Sequence, residues 1–254
     1  METFIYMELN RWLIVIPARL SSERLPRKPL ADLAGRPLIA RVYENLKPLE
    51  ALKAKIVVAV DHSDTARACE VFKIPYVMTK DTHLSGTDRC AEVATSISDR
   101  SYVLNVQGDE PFVETSDLRN LMSEMEHRGL AMGTLGFTRH DREGFEDPNV
   151  VKIVCDSMNN AIYFSRAPIP FDRDASKNPA LEIGYTQHLG VYAFKRETLL
   201  AFCDLSPSKL EKIEKLEQLR AIEQGWKIVV VPATIPSLGI DTPEDLRKAC
   251  KRFS

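Results

Sequence analysis

Trp12-Leu-Ile-Val-Ile-Pro-Ala-Arg-Leu-Ser-Ser-Glu-Arg-Leu-Pro-Arg-Lys-Pro-Leu30 reads as two pieces joined at Pro17. Trp12 to Ile16 is an unbroken apolar run of strand length. A run that is apolar on both alternating faces belongs in a sheet covered on both sides. Beyond Pro17 come Arg19, Arg24, Arg27 and Lys28, set among small and hydroxylated residues such as Ala18, Ser21 and Ser22. Ligands of open α/β sheets bind at the carboxyl ends of the strands. Four fixed cations at that place make a site for a polyanion, most economically a nucleoside triphosphate. A single arginine would be an ordinary solvated charge; the cluster, directly after an apolar strand and punctuated by prolines, is what points to binding.

Working outward, strand-like runs alternate with helical segments. Lys55–Val60, Pro75–Met78 and Ser101–Val106 read as further strands. Ser63–Phe72 and Thr87–Ile97 read as helices, and a third starts at a Thr115 or Ser116 cap and runs to about His127. Continuous apolar strands separated by helices predict a doubly wound α/β unit with a mostly parallel sheet. The middle differs. Leu130–Thr138 and Val150–Cys155 look like strands with no helix between them, Asn160–Pro170 is extended, Asp172–Pro179 is loop-like, and Leu189–Phe194 is a strand. The expectation is a smaller antiparallel excursion around 130–206, a place for subunit contact. Ser208–Gln224 reads as one helix stopped by Gly225. Lys227–Val231 is a last strand, and Thr242 opens a terminal helix with Pro243 in first position.

The chain has 254 residues and a formal net charge of −2, so it holds a sizeable core and carries no general basic face for nucleic acid or membrane lipid. No apolar run approaches the ~18–20 residues of a membrane span. The five cysteines are odd in number and lack C-x-x-C spacing, which argues against zinc and against a disulfide framework. A reduced, cytoplasmic setting is the default. Residues 1–11 read as a tail with Met7 as a possible alternative start, and 12–254 as a single domain.

Asn105-Val-Gln-Gly-Asp-Glu-Pro111 closes the fourth strand. Gly108 permits a sharp turn, so that Gln107 and Asp109 project from the strand end toward the basic loop. A carboxylate beside a triphosphate is repelled unless a cation stands between them, so Asp109 reads as a Mg²⁺ ligand; Gly-Asp is also ordinary turn chemistry. Asp241, in Gly239-Ile-Asp-Thr-Pro-Glu-Asp-Leu246, offers a second carboxylate, because Thr242 can cap the helix by itself. Two carboxylates and a cation cluster are the parts of phosphoryl or nucleotidyl transfer, which works by positioning and charge neutralisation. Ser85-Gly-Thr-Asp-Arg89 is either a base or sugar contact or a plain helix cap. No dinucleotide fingerprint and no P-loop is present. Leu210, Ile213, Leu216, Leu219 and Ile222 recur every three residues, so the apolar stripe drifts around an ideal helix. Glu211, Glu214 and Gln218 would share its polar face. Arg166, Gln187, His188 and Tyr192 are further polar residues of the middle region.

These stretches together resemble the 3-deoxy-manno-octulosonate cytidylyltransferase family (CMP-KDO synthetases) from about Trp12 to Lys251. The likeness rests on I-P-A-R-L-S-S-E-R-L-P-R-K-P-L, S-G-T-D-R, N-V-Q-G-D-E-P, Y-F-S-R-A-P-I-P, H-L-G-V-Y, L-E-Q-L-R and G-I-D-T-P-E-D-L, in the family's order. The resemblance implies a nucleotide-diphospho-sugar transferase-like fold and Mg²⁺-dependent transfer of CMP from CTP to 3-deoxy-D-manno-octulosonate (KDO), releasing pyrophosphate, for lipopolysaccharide synthesis. It implies that Arg19, Arg24 and catalytic Lys28 hold the triphosphate and that Asp109 and Asp241 hold the metal and are catalytic. It puts Gln107 near the sugar, Ser85 near the cytosine, and the sugar pocket on Arg166, His188, Tyr192, Glu214 and Gln218. It also implies a homodimer built through the middle segment.

Two departures stand out. Arg27 occupies a position where the family usually has Gly, which puts the backbone of the phosphate loop in question. Thr186-Gln187 replaces a more usual basic residue before His188, which bears on the charge near the sugar carboxylate. Acceptors such as 8-amino-KDO or sialate are the alternatives, and a non-catalytic nucleotide-sugar sensor is a reading from another class.

Overall fold

The structure, a computed structural model, describes residues 8–173, 179–236 and 238–253. In chain order its first elements are β1 (Trp12–Ala18), α1 (Leu38–Leu46), β2 (Lys55–Val60), α2 (Ser63–Val71), β3 (Tyr76–Met78), α3 (Gly86–Ser96), β4 (Tyr102–Asn105) and α4 (Thr115–His127). The middle comprises β5 (Met132–Arg139), α5 (Arg142–Glu146), β6 (Lys152–Cys155), β7 (Ala161–Ser165), α6 (Pro179–Ile183) and β8 (Tyr185–Lys195). The chain ends with α7 (Arg196–Asp204), α8 (Lys209–Glu214), α9 (Leu219–Glu223), β9 (Val229–Pro232) and α10 (Pro243–Cys250).

Every residue of β1 is buried, and its two faces serve two cores. Trp12, Ile14, Ile16 and Ala18 pack toward α1, α2, α4 and α10, while Leu13 and Val15 pack toward α3, α7 and α9. β1 runs parallel to β2 on one side and to β4 on the other, with β3 parallel beyond β2. The full order is β3-β2-β1-β4-β8-β5-β9, with β6 and β7 attached through β8. The chain direction of the parallel strands reverses its march across the sheet between β1 and β4, which makes their carboxyl ends the switch point where such sheets bind ligands.

The sequence reading needs four corrections here. β5 and β8 are antiparallel to each other but lie inside the main sheet, since β8 pairs with both β4 and β5; among the described strands only β6 and β7 lie off the main strand order, joined to it through the pairing of β6 with β8. A short helix, α5, does separate β5 from β6. The expected helix over 208–224 is two helices, broken at Lys215 in the left-handed region with φ 55°. The three-residue spacing explains the break: a stripe that drifts cannot stay on one buried face, and the turn at Lys215 leaves Ile213 exposed while Leu216 and Leu219 go inward. Finally, α4 is capped by the Glu114 carboxylate, which accepts from Ser116 N, rather than by Thr115 or Ser116.

Three further helices, α1, the short α6 and α7, escaped the sequence reading. α1 presents Leu38, Ile39, Val42 and Leu46 to the core, and α7 buries Leu199 and Phe202. The tail expected over 1–11 lies outside the described residues as far as residue 7. Beyond that it is fastened, because Leu9 is fully buried and its N–H donates to Leu52 O at 2.6 Å. The loop expected over 172–179 lies largely outside the described residues. No described helix is long and apolar enough to cross a membrane.

Candidate active site

A cleft of about 690 Å³ opens where β1 and β4 end. It is walled by the loop after β1, the start of α3, the loop after β4 and the chain leading into α10. The second half of the first of these loops is held by apolar anchors, since Leu25 and Pro29 are buried while Arg19 and Arg24 reach solvent. Its start is pinned by a relay. Arg89 of α3 is almost fully buried and donates to Asp61 Oδ2 at 2.9 Å, and Asp61 Oδ1 accepts from Leu20 N at 2.9 Å. Arg89 also donates to Thr79 Oγ1 and Lys80 O, so its guanidinium is satisfied without the ligand.

The β4 loop comes extremely close to β1. A Cβ on Gly108 would stand 2.6 Å from Pro17 O, and the same atom on Gly86 would stand 3.1 Å from Pro17 Cγ. Gly108 is therefore required by close approach, not by a positive φ. Ser85 caps α3 by accepting from Asp88 N, in a reciprocal capping box; this is the cap reading of S-G-T-D-R, and Ser85 lines the cleft as well.

At the centre Lys28 Nζ donates to Asp109 Oδ2 at 2.6 Å and to Asp241 Oδ1 at 2.8 Å. Arg24 Nη2 lies 3.0 Å from Asp241 Oδ2. Ile240 N donates to Asp109 O at 2.9 Å, which ties the two acidic loops together. Burial alone would depress the Lys28 ammonium, but the two carboxylates outweigh it and hold its pKa above the ordinary value. Glu110, which the sequence reading passed over, leans against this group: a Cβ on Gly239 would meet its Oε1 at 3.2 Å. Burial, reinforced by the Asp109 and Asp241 charges, pushes the Glu110 carboxyl up to about 8.

Arg27 does not belong to the cation cluster. It lies outside the cleft, pairs with Asp64 Oδ2 at 2.7 Å on the surface, and sits in the left-handed region with φ 56° and ψ 35°. That conformation is the reason a glycine suits the position.

The other nominated residues, Arg166, His188, Tyr192, Glu214 and Gln218, form a second group that does not line this cleft. The connection runs through Gln107, whose Nε2 donates to the buried Asn105 Oδ1 at 3.2 Å. Asn105 is the register partner of Tyr192 on β8. Between Tyr192 and Leu189 the β5–β8 ladder jumps, with Thr134 opposite Tyr192 and Leu135 opposite Leu189, so β8 carries two extra residues, Gly190 and Val191. In a regular strand residues four apart are ~13 Å distant. Here the rings of His188 and Tyr192 are 5.1 Å apart. The H-L-G-V-Y stretch is thus a bulge that brings two side chains together, and bulges commonly re-aim side chains at sites.

His188 Nε2 lies 3.0 Å from Thr134 Oγ1, and its ring meets Phe164 edge-on at 5.2 Å. Burial among these groups pushes its pKa down to about 3, which keeps the imidazole neutral. Glu214, ending α8, accepts from Ser165 Oγ at 2.6 Å and from Arg166 N at 3.0 Å. Arg166 donates in turn to Glu214 O and Pro148 O. Glu217, also missed from sequence, accepts from Thr87 Oγ1. Its burial raises its carboxyl pKa against the opposing hydrogen bonds of Thr87 and Ser85. The Tyr192 hydroxyl and the Gln218 amide nitrogen are buried and meet no hydrogen-bond partner among the described residues. Such groups are costly in a finished core, and a polar ligand is one way to satisfy them.

Gln187 turns elsewhere. Its side-chain oxygen accepts from Arg139 Nη1 at 3.1 Å, and Arg139 is held in a fork by Asp141 at 2.6 and 2.9 Å. The polar residue before His188 therefore bears on the β5 side of the sheet and not on the Tyr192–Gln218 group.

Comparison with known proteins places this geometry. A cytidylyltransferase family model matches residues 13–228. The chain is 44% identical over 249 residues to the 3-deoxy-manno-octulosonate cytidylyltransferase of Methylococcus capsulatus, covering 95% of this chain and 96% of the relative. A solved CMP:2-keto-3-deoxy-manno-octonic acid synthetase in complex with CTP superposes with a TM-score of 0.88 at 36% identity, over 96% of this chain and 98% of the other. A cytidylyltransferase from Leptospira borgpetersenii shares the fold at a TM-score of 0.59 and 14% identity, over 92% and 83% of the two chains. The chain belongs to the cytidylyltransferase family, and within it stands with the 3-deoxy-manno-octulosonate cytidylyltransferases.

Proposed function

We propose that the protein transfers CMP from CTP to KDO, giving CMP-KDO and pyrophosphate for lipopolysaccharide synthesis, in the cytoplasm. The observation that supports the reaction is the convergence of Arg24, Lys28, Asp109 and Asp241 at the carboxyl ends of β1 and β4. The kinship with KDO-using relatives supports the sugar.

The C2 hydroxyl of KDO, releasing its proton to solvent water, attacks the α-phosphorus of CTP as the bond to the departing pyrophosphate breaks in line with it. Arg19, Arg24 and Lys28 neutralise the triphosphate and then the leaving group. Ser85 lies at the nucleoside end, and Gln107 bridges toward the acceptor. Tyr192 and Gln218, with buried atoms awaiting partners, receive the sugar, while Arg166, Glu214 and His188 shape its pocket. His188 does so as a neutral group; a pKa of about 3 and its contact with Thr134 leave it no role as a base near neutrality. Two carboxylates meeting at one point fit Mg²⁺, which takes one or two carboxylates together with phosphate oxygens and water. Asp109 and Asp241 would hold it, and when bound it supplies charge neutralisation and orientation at the reacting phosphate.

A homodimer through the middle segment is part of the same reading. Met158, Ile162, Phe171 and Ile183 of that segment are large apolar residues left exposed, and sedimentation at micromolar protein tests it. The reaction is tested by pyrophosphate release from CTP and Mg²⁺ with KDO, 8-amino-KDO and sialate as separate acceptors. Release with KDO above the other two is expected. A preference for sialate would refute the sugar, and CTP binding without release for any acceptor would refute catalysis in favour of a sensor.

A further inference from the structure

Three of the four oxygens on Asp109 and Asp241 are already engaged, two by Lys28 and one by Arg24. Two carboxylates facing two cations carry no net charge, so a divalent ion approaching this pair gains little attraction. No group of three His, Cys, Asp or Glu able to hold a metal exists among the described residues, so no third ligand offsets that neutrality. We propose that Lys28 is an interlock on the metal site: it occupies Asp109 and Asp241 while the triphosphate is absent, and yields them to a divalent cation only when a triphosphate draws its ammonium away.

The geometry permits such a swap without backbone movement. Lys28 opens a short 3-10 turn, Lys28–Leu30, whose Pro29 is buried, so the backbone is anchored. Its four-carbon stem is flexible and ends in a compact charge. Lys28 lines the cleft beside Arg19, Ser22 and Arg24, so phosphate oxygens arriving there compete directly with the two carboxylates for Nζ. Nucleotide and metal are then coupled, each raising the affinity of the other, as linkage requires. The consequence is order: the cation enters with the triphosphate or after it, and the free protein is protected from idle metal. This rests on the assignment of Asp109 and Asp241 as metal ligands.

The test is Mn²⁺ titration followed by electron paramagnetic resonance, which reads free ion without turnover. Wild-type protein, Lys28→Gln and Lys28→Arg are titrated alone, and the wild type also with a non-hydrolysable α,β-methylene CTP analogue, corrected for Mn²⁺ bound by the analogue itself. Lys28→Gln alone is expected to bind at least about tenfold tighter than the wild type, and the analogue to tighten wild-type binding by a similar factor. Lys28→Arg, which keeps a cation on the pair, stays within about threefold of the wild type. Equal Mn²⁺ affinity of the wild type with and without the analogue would overturn the interlock, whatever the variants do. If that equal binding disappears in Asp109→Asn, the metal site stands and only the interlock falls. No Mn²⁺ binding in any of these samples would overturn both.

Discussion

Gly108→Ala is the sharpest probe of how the fold positions this site. The added Cβ would sit 2.6 Å from Pro17 O, 3.6 Å from Pro17 C and 3.7 Å from Ala18 Cα. All three are backbone atoms of β1 or its last residues, so no side chain can swing aside. Carbon–oxygen contacts occur near ~3.3 Å, so the β4 loop and the β1 strand end must part by about 0.7 Å. Overpacking of this kind costs about 1–3 kcal/mol. For a chain of this size that lowers Tm by roughly 2–12 °C. The same displacement acts on the neighbouring Asp109, which is tied to Ile240 through its carbonyl and to Lys28 through its carboxylate. A misplacement near 1 Å can cost ~10²-fold in rate, so kcat/KM for pyrophosphate release should fall about 10- to 100-fold. The control is Gly86→Ala, whose Cβ meets the Pro17 ring rather than backbone and should cost less on both counts. Thermal melting and a coupled pyrophosphate assay on the two variants decide the matter. If Gly108→Ala melts within 1 °C of the wild type, by the same scaling, and keeps full activity, the close approach does not govern the site.

Asp109→Ala should lower turnover by at least ~10²-fold, the scale for losing a group that organises transition-state charge, while circular dichroism remains native; near-normal turnover would remove Asp109 from the chemistry. Arg27→Gly should leave turnover within about threefold, because Arg27 lies outside the cleft. Its stability should change by less than about 1 kcal/mol, since relief of left-handed strain opposes the lost surface pair and the freer unfolded chain; urea melts read this. His188 has a folded pKa below its unfolded value, so the stability it gives is complete above about pH 6.5 and is lost as pH falls toward about 3. Between pH 7 and 5 that loss is at most about 2 kcal/mol, and His188→Gln should flatten the urea-midpoint profile over this window; an unchanged profile would show that His188 titrates normally. Arg89→Met should cost about 3–5 kcal/mol by stranding the buried Asp61 carboxylate, and Asp61→Asn in the same background should recover part of it; equal stability of all three proteins would disprove the relay to Leu20.

The parallel half of the fold was legible because its strands are buried on both faces and therefore unbroken in the sequence. Lys55–Val60 was bounded without error, and β1 and β4 to within two residues. α1 was not seen because it follows Pro37 directly, without a Ser, Thr, Asp or Asn cap to announce it. α7 begins on the last residues of a long strand, where Lys195 caps it without any side-chain bond. The run over 208–224 misled for a different reason. Its propensity is helical throughout, but a stripe repeating every three residues cannot satisfy one buried face. The chain resolves that conflict by spending a left-handed residue at Lys215, a choice that tertiary burial makes and local propensity does not.

The same distinction separates the two halves of the site. The proposed nucleotide half is built from turns that directly follow strands, so contiguous residues become neighbours and a cluster such as Arg19, Arg24 and Lys28 survives as a cluster in space. Even there, contiguity overreached: Arg27 sits one residue before Lys28, yet its left-handed backbone turns it out of the cleft toward Asp64. The second half depends on irregularities. His188 and Tyr192 meet only because β8 carries two extra residues against β5. Glu214 ends one helix and Gln218 caps the next because of the break at Lys215. Glu217 joins Thr87 across 130 residues of chain. No local spacing encodes such contacts; they follow from register and from where burial forces a helix to stop. A residue pattern can therefore point to the proposed phosphate chemistry from turns alone, whereas the proposed acceptor pocket emerges only once the antiparallel strand is threaded between two parallel ones.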